Sequence, residues 1–122
     1  SDYGYNYSLP NQELPSTTTL SALSVNNVYN FPNPFGYHTG SSTTSFGFES
    51  NLAGQATITI YNVFGEKVKT IYQNTLPGYN TVIWDGRQDN QRQCSNGTYL
   101  YTLKLTTTNQ DFNHKGTLSI IN

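Results

Sequence analysis

One cysteine, one tryptophan and no methionine occur among the 122 residues. A lone Cys94 excludes an internal disulfide, so the fold is not that of a small disulfide-stapled scaffold. Secretion stays open, because a chain of this length buries a core without a bridge. Charge is equally sparse: 11% of residues are charged, the net charge is -1 and the pI is near 6.0. Lys67, Lys69, Arg87, Arg92, Lys104 and Lys115 are scattered, which leaves no phosphate-tracking stripe and argues against nucleic acid as a partner. Nowhere does an apolar run approach the ~18 residues of a membrane helix. The N-terminus also lacks a basic segment followed by an apolar one. No transmembrane segment is therefore expected, and the chain reads as soluble and either mature or excised from a longer one.

What is abundant is Thr, Asn, Ser and Tyr. With 10 Tyr and 6 Phe, aromatics make up 14% of a chain that is only 34% hydrophobic, so they carry much of the burial. Few strong helix formers and many strand and turn formers predict an all-β protein of one domain. The clearest stretch runs from Ala56 to Ile71. Ala56, Ile58 and Ile60 alternate with Thr57, Thr59 and Tyr61, the period of a half-buried strand. Gly65 supplies a residue able to take positive φ in the turn, and Lys67 to Ile71 restart a strand. Lys67 and Lys69, interleaved with apolar residues, mark a solvent face or a protected sheet edge.

Residues 1–24 have little periodicity and predict a linker or N-terminal extension, in which alternating Tyr3, Tyr5 and Tyr7 could add an edge strand or lie on the domain. Residues 25–122 predict the folded domain. A first strand over Val25–Phe31 ends at Pro32-Asn33-Pro34, where missing donors stop the pairing. Further strands are expected over Thr43–Glu49, with Phe46 and Phe48 on one face, and over Tyr79–Trp84, with Val82 and Trp84 inward. Thr98–Thr107 place Tyr99, Tyr101, Leu103 and Leu105 on one face, and a last strand lies around His114–Ile121. With the hairpin of Ala56–Ile71 these make about seven strands at roughly ten-residue intervals, the pattern of an immunoglobulin-like antiparallel β-sandwich.

Four motifs stand in order at domain spacing: Phe31-Pro32-Asn33-Pro34-Phe35, the run from Ile58 to Val68, Trp84-Asp85-Gly86-Arg87, and Ser95-Asn96-Gly97-Thr98-Tyr99. Together they resemble the immunoglobulin-like domain of flagellar hook-capping proteins. A closely similar form is the type IX secretion C-terminal sorting domain of many secreted proteins of Bacteroidetes and related bacteria. The resemblance runs from about Val28 to Ile121. It implies a non-catalytic domain at the end of a multidomain enzyme, adhesin or cell-surface protein, read by an outer-membrane translocon and often replaced by a surface anchor. The positions it singles out for recognition are Pro77, Gly78, Tyr79, Gly97, Tyr99 and Lys115. The chain departs from the pattern in three places. Gln91 stands where the family usually carries a second glycine, Cys94 stands where it carries a small apolar residue, and no second basic residue follows Lys115.

Asp85, Asp89 and Asn90 form the densest polar group, on a glycine-containing loop. They could ligate Ca²⁺, or Asp85 could instead accept backbone N–H bonds that fix the turn, as Asp and Asn commonly do. The turn reading is preferred, because the spacing lacks the five or more oxygen ligands of a dedicated calcium loop. Cys94 with His38 or His114 could in principle form a thiol nucleophile and base. Yet no local signature surrounds Cys94, whose place before Ser95-Asn96-Gly97 suits a small residue tucked under a loop. Phosphate loops, zinc-ligand spacings and nucleophile elbows are absent from the sequence. Trp84 reads as a sugar-stacking platform or as a core anchor, with the anchor preferred. The glycosylation triplets Asn6-Tyr7-Ser8 and Asn96-Gly97-Thr98 arise readily by chance in a chain this rich in Asn and Thr.

No catalytic residue or cofactor is assigned. The leading expectation is a non-catalytic C-terminal domain of a secreted or cell-surface bacterial protein. Its partners would be a secretion translocon or surface anchor and the upstream domains of its parent, and its location extracellular or at the cell surface. One rival is a carbohydrate-binding accessory module of a glycoside hydrolase, which needs Trp84 or several Tyr exposed in a line to hold polysaccharide. A second is a hook-cap-like assembly domain, which would self-associate.

Overall fold

The structure, a computed structural model, describes residues 22–122. Tyr3, Tyr5, Tyr7 and most of the expected linker lie outside the described residues. Seven strands form where apolar residues alternate: β1 (Val25–Phe31), β2 (Thr44–Ser50), β3 (Gly54–Tyr61), β4 (Lys67–Thr75), β5 (Gly78–Trp84), β6 (Gly97–Thr106) and β7 (Asp111–Ile120). Helix among the described residues is limited to a 3-10 turn at Tyr37–Thr39. The strands make two antiparallel sheets, β1-β2-β5 and β4-β3-β6-β7, as expected for an immunoglobulin-like sandwich.

Both sheets turn the predicted side chains inward. Ala56, Ile58 and Ile60 of β3 meet Leu103, Leu105, Tyr99 and Tyr101 of β6, and Phe46, Phe48, Val82 and Trp84 close the core from the other sheet. Tyr101 meets Phe46 edge-on at 4.8 Å, and Phe35 meets Trp84 at 5.6 Å. Each large side chain so buried contributes roughly 1.5–3 kcal/mol. On the four-stranded sheet Thr57, Thr59 and Thr102 of the same strands line up on the outer face, with Leu100 exposed beside them.

Two strands are longer than their periodicity suggests. β4 continues to Thr75 because Gln73 and Thr75 pair with Ala56 and Gly54, so the ladder rather than the side chains defines it. β7 begins at Asp111, not near His114, for the same reason: Asp111 pairs with Thr106. Pairing also resumes after the proline corner. Phe35 N donates to Ser119 O at 3.1 Å and Ile121 N to Phe35 O at 2.8 Å, a parallel bridge onto the edge of β7. Asn33 completes it, its Nδ2 donating to Thr117 O and its Oδ1 accepting from Ser119 N.

The expected sheet edge at Lys67 and Lys69 is real, since β4 is outermost. At the opposite end of the sandwich from Trp84, Asn51 clamps the incoming chain. Its Oδ1 accepts from Ser24 N, its Nδ2 donates to Ala22 O and its N donates to Ser24 O. Leu23 N donates to Gln110 Oε1 at 2.7 Å.

Candidate functional site

The loop after Trp84 is organised by its acidic and amide side chains. Asp85 Oδ1 accepts from Arg87 N at 3.0 Å and Asn90 Oδ1 from Arg92 N at 2.9 Å, each closing its own turn. Asp89 instead caps the edge of β4. Its N donates to Val68 O, its Oδ1 accepts from Thr70 N, and Lys69 Nζ lies 3.7 Å away. Among the described residues no cluster of three or more His, Cys, Asp or Glu is placed to hold a metal ion.

Trp84 is 1% exposed, and its Nε1 donates to Arg87 O at 2.9 Å. A stacking platform built on it is therefore ruled out: the indole fills the core and pins the loop. Gln91 adopts φ 71, a left-handed conformation that glycine takes without strain. Gln91 thus holds a glycine-like conformation at a local conformational cost. Cys94 is buried beneath this loop, its N donating to Gly86 O, and burial pushes its thiol up. The Tyr99 hydroxyl is the largest influence in the opposite direction. Neither histidine is hydrogen-bonded to it: His38 lies on the 3-10 turn and His114 on β7, 6.0 Å from the Tyr101 ring.

The six positions singled out for recognition are spread over the domain. Pro77, Gly78 and Tyr79 form the turn into β5, at the end that carries Val25 and Ser50. Gly97 opens β6 at the other end, about 30 Å away by strand length. Gly78 and Gly97 hold φ 109 and 146, values that side-chain-bearing residues rarely adopt. Tyr99 is buried, and its hydroxyl donates to Ser95 O at 2.7 Å. Burial raises its pKa above the ordinary phenol value. Lys115 stands on the outer face of β7, beside a cavity of about 400 Å³ lined also by Tyr61, Leu100 and Thr102. Pro77, Tyr79 and Lys115 are therefore open to a partner, whereas Gly78, Gly97 and Tyr99 hold backbone shape.

Two exposed apolar groups go beyond the positions singled out for recognition from the sequence, of which only Tyr79 belongs to either. Val63 and Phe64, 67% and 84% exposed, cap the β3–β4 hairpin. Two apolar residues between Asn62 and Gly65, in a turn, were the available signal. On the outer face of the three-stranded sheet, Tyr29 stacks on Tyr79 with centroids 6.4 Å apart and planes at 14°. Phe31 and Ile83 stand beyond them, on either side of Ser45. The Tyr29 ring covers Gly47, where any side chain would collide with it.

A sequence profile of the FlgD Ig-like domain family matches residues 36–111. Comparison with curated protein sequences gives no match. Among solved structures, dimeric latent PorU from Porphyromonas gingivalis superposes with a TM-score of 0.68 at 16% identity, over 88% of this chain and 10% of that one. FlgD from P. aeruginosa superposes at 0.54 and 16% identity, over 63% of this chain and 61% of that one. PorZ, a surface component of the type IX secretion system of Porphyromonas gingivalis, superposes at 0.50 and 16% identity, over 78% of this chain and 11% of that one. The likeness to these structures is one of fold. The chain spans about a tenth of the PorU and PorZ structures and less than two thirds of FlgD.

Proposed function

The chain belongs to the FlgD Ig-like domain family, and from that premise we propose that it is a non-catalytic C-terminal domain of a secreted or cell-surface bacterial protein. Its role is export by a type IX-like route, surface attachment, or presentation of upstream domains. What supports this reading above all is that the same fold recurs as about a tenth of two much longer proteins, one of them a surface component of a type IX secretion system. The domain comprises residues 25–122, and residues 1–24 join it to its cargo. Because Asn51 and Gln110 hold the chain at Ala22 to Ser24, the cargo leaves from the end opposite the Trp84 loop.

A translocon or anchor reads a rigid surface here, not a flexible tail. Lys115 and Tyr79 offer a cation and an aromatic ring to it, while Gly78, Gly97 and Tyr99 keep the two ends of the sandwich in shape. The test is export of a fluorescent cargo fused to residues 1–122 in a bacterium with an active type IX system, beside a strain with the translocon disabled. Translocon-dependent appearance outside the cell is expected, reduced by Lys115→Ala without loss of folding. A folded fusion retained in the periplasm of both strains would sink the reading.

The stacked Tyr29 and Tyr79 favour one second reading, a neutral polysaccharide lying on the outer face of the three-stranded sheet. Aromatic faces suit the apolar faces of sugars, and the side chains of Asn26, Glu49 and Thr81 on that face offer hydrogen bonds to hydroxyls. Pull-down on insoluble polysaccharide, abolished by Tyr79→Ala, supports it, and no retention of the unmodified chain dismisses it.

A further inference from the structure

The free edge of β7 is half sealed and half open. Thr117 O, Ser119 N, Ser119 O and Ile121 N all bond away from β6, to the Asn33–Phe35 corner. In an antiparallel ladder the N–H and C=O of one residue point to the same side, and that side alternates along the strand. No irregularity interrupts the pairing of β7 with β6 from Asp111 to Ile120. Asp111, Asn113 and Lys115 therefore aim their backbone groups at the same free edge, and no described residue bonds to them there. Their side chains are exposed on the outer face of the sheet. The other edge of this sheet differs: Asp89 occupies Val68 O and Thr70 N of β4, and Tyr72 and Asn74, which face the same edge further along, carry no charge.

We infer that the open half of β7 pairs with β7 of a second copy of this chain, antiparallel about Asn113. A two-fold axis there sets Asn113 against its equivalent and Asp111 opposite the second copy's Lys115, twice. Three residues with free N–H and C=O on each side give six backbone hydrogen bonds, and both cross-strand charge pairs are of opposite sign. The geometry also limits the contact. Beyond Lys115 the Asn33–Phe35 corner fills the lane, so the pairing is short, weak and dependent on concentration. Such an isologous contact joins two four-stranded sheets into one of eight and leaves the other faces free. The inference stands apart from the export reading, although both involve Lys115.

Sedimentation of the purified chain from micromolar to millimolar concentration tests it. A monomer–dimer equilibrium is expected, weakened by salt. Asn113→Pro removes an N–H that faces the open edge and not β6, so the fold tolerates it while the dissociation constant rises by at least about tenfold. Lys115→Asp sets like charges opposite each other and has the same effect, and Asp111→Lys combined with Lys115→Asp restores pairing. A wild-type chain that stays monomeric throughout overturns the inference. So does Asn113→Pro that associates as tightly as wild type, or a charge swap that leaves association lost.

Discussion

Leu118 and Lys115 lie three residues apart on β7 but on opposite faces, and their replacement by alanine separates stability from recognition. Leu118 is 1% exposed, pairs with Tyr99 and belongs to the core. Its truncation removes buried methyl groups and leaves a cavity, costing about 3 kcal/mol within the ~2–5 kcal/mol range of such changes. A domain of this size has roughly 5–15 kcal/mol of stability in all, so the loss is a large share of it. The corresponding fall in Tm is about 12–24 °C. Lys115 projects into solvent, and its replacement should change stability by less than ~0.5 kcal/mol. Urea denaturation followed by Trp84 fluorescence measures both, with an unchanged slope for each variant. A loss below about 1 kcal/mol for Leu118→Ala would refute the assignment of β7's inner face to the core. An equal loss for Lys115→Ala would show that its side chain is not free. Removing residues 115–122 takes away both Leu118 and Ile120, so export lost on that truncation reports unfolding before it reports recognition.

Further outcomes follow from the loop and the buried titratable groups. Gln91→Gly should stabilise the protein by about 0.5–1 kcal/mol, because the relief of a left-handed conformation outweighs the added freedom of the unfolded chain; a lowered Tm would contradict this. Trp84→Phe should cost about 1–3 kcal/mol, chiefly from leaving the Arg87 carbonyl without its donor, as measured by the urea midpoint. Native Cys94 should resist a thiol reagent that labels it at once in urea, since the folded thiol is buried with a raised pKa. Cys94, Tyr99 and Tyr101 all have raised values in the fold and so hold protons that the unfolded chain releases. Their contribution is whole below about pH 8.5 for the thiol and about pH 10 for the phenols, and stability falls as pH rises past these values. Urea midpoints at neutral and alkaline pH check the sign. Added calcium should leave Tm unchanged, because Asp85, Asp89 and Asn90 already accept backbone N–H groups; a rise of several degrees would assign them to a metal.

Much of the fold is legible in strictly local patterns. Alternation in β3 and β6 assigns Ile58, Ile60, Leu103 and Leu105 to one side because successive side chains of a strand leave by opposite faces. Scarce helix formers, one cysteine and closely spaced turn residues select an all-β sandwich without a disulfide. The loop's turn-closing residues Asp85 and Asn90 are equally readable, since each bonds a backbone group two residues on.

Other features depend on which strand lies beside which, and no local pattern carries that. Alternation that sends Val82 and Trp84 inward already turns Ile83 outward, but only the pairing of β1 and β5 with β2 sets it across Ser45 from Phe31. Tyr29 reaches Tyr79 across Gly47 because β1 and β5 flank the same strand. Asn33, which reads as part of a corner that stops pairing, seals half of β7, more than eighty residues away in sequence. Periodicity thus determined the faces of the strands, because the side-chain direction is a property of each backbone alone. Tertiary structure decided the edges and the exposed surface, because an open hydrogen-bonding group or an uncovered ring is defined only by what the rest of the chain leaves beside it.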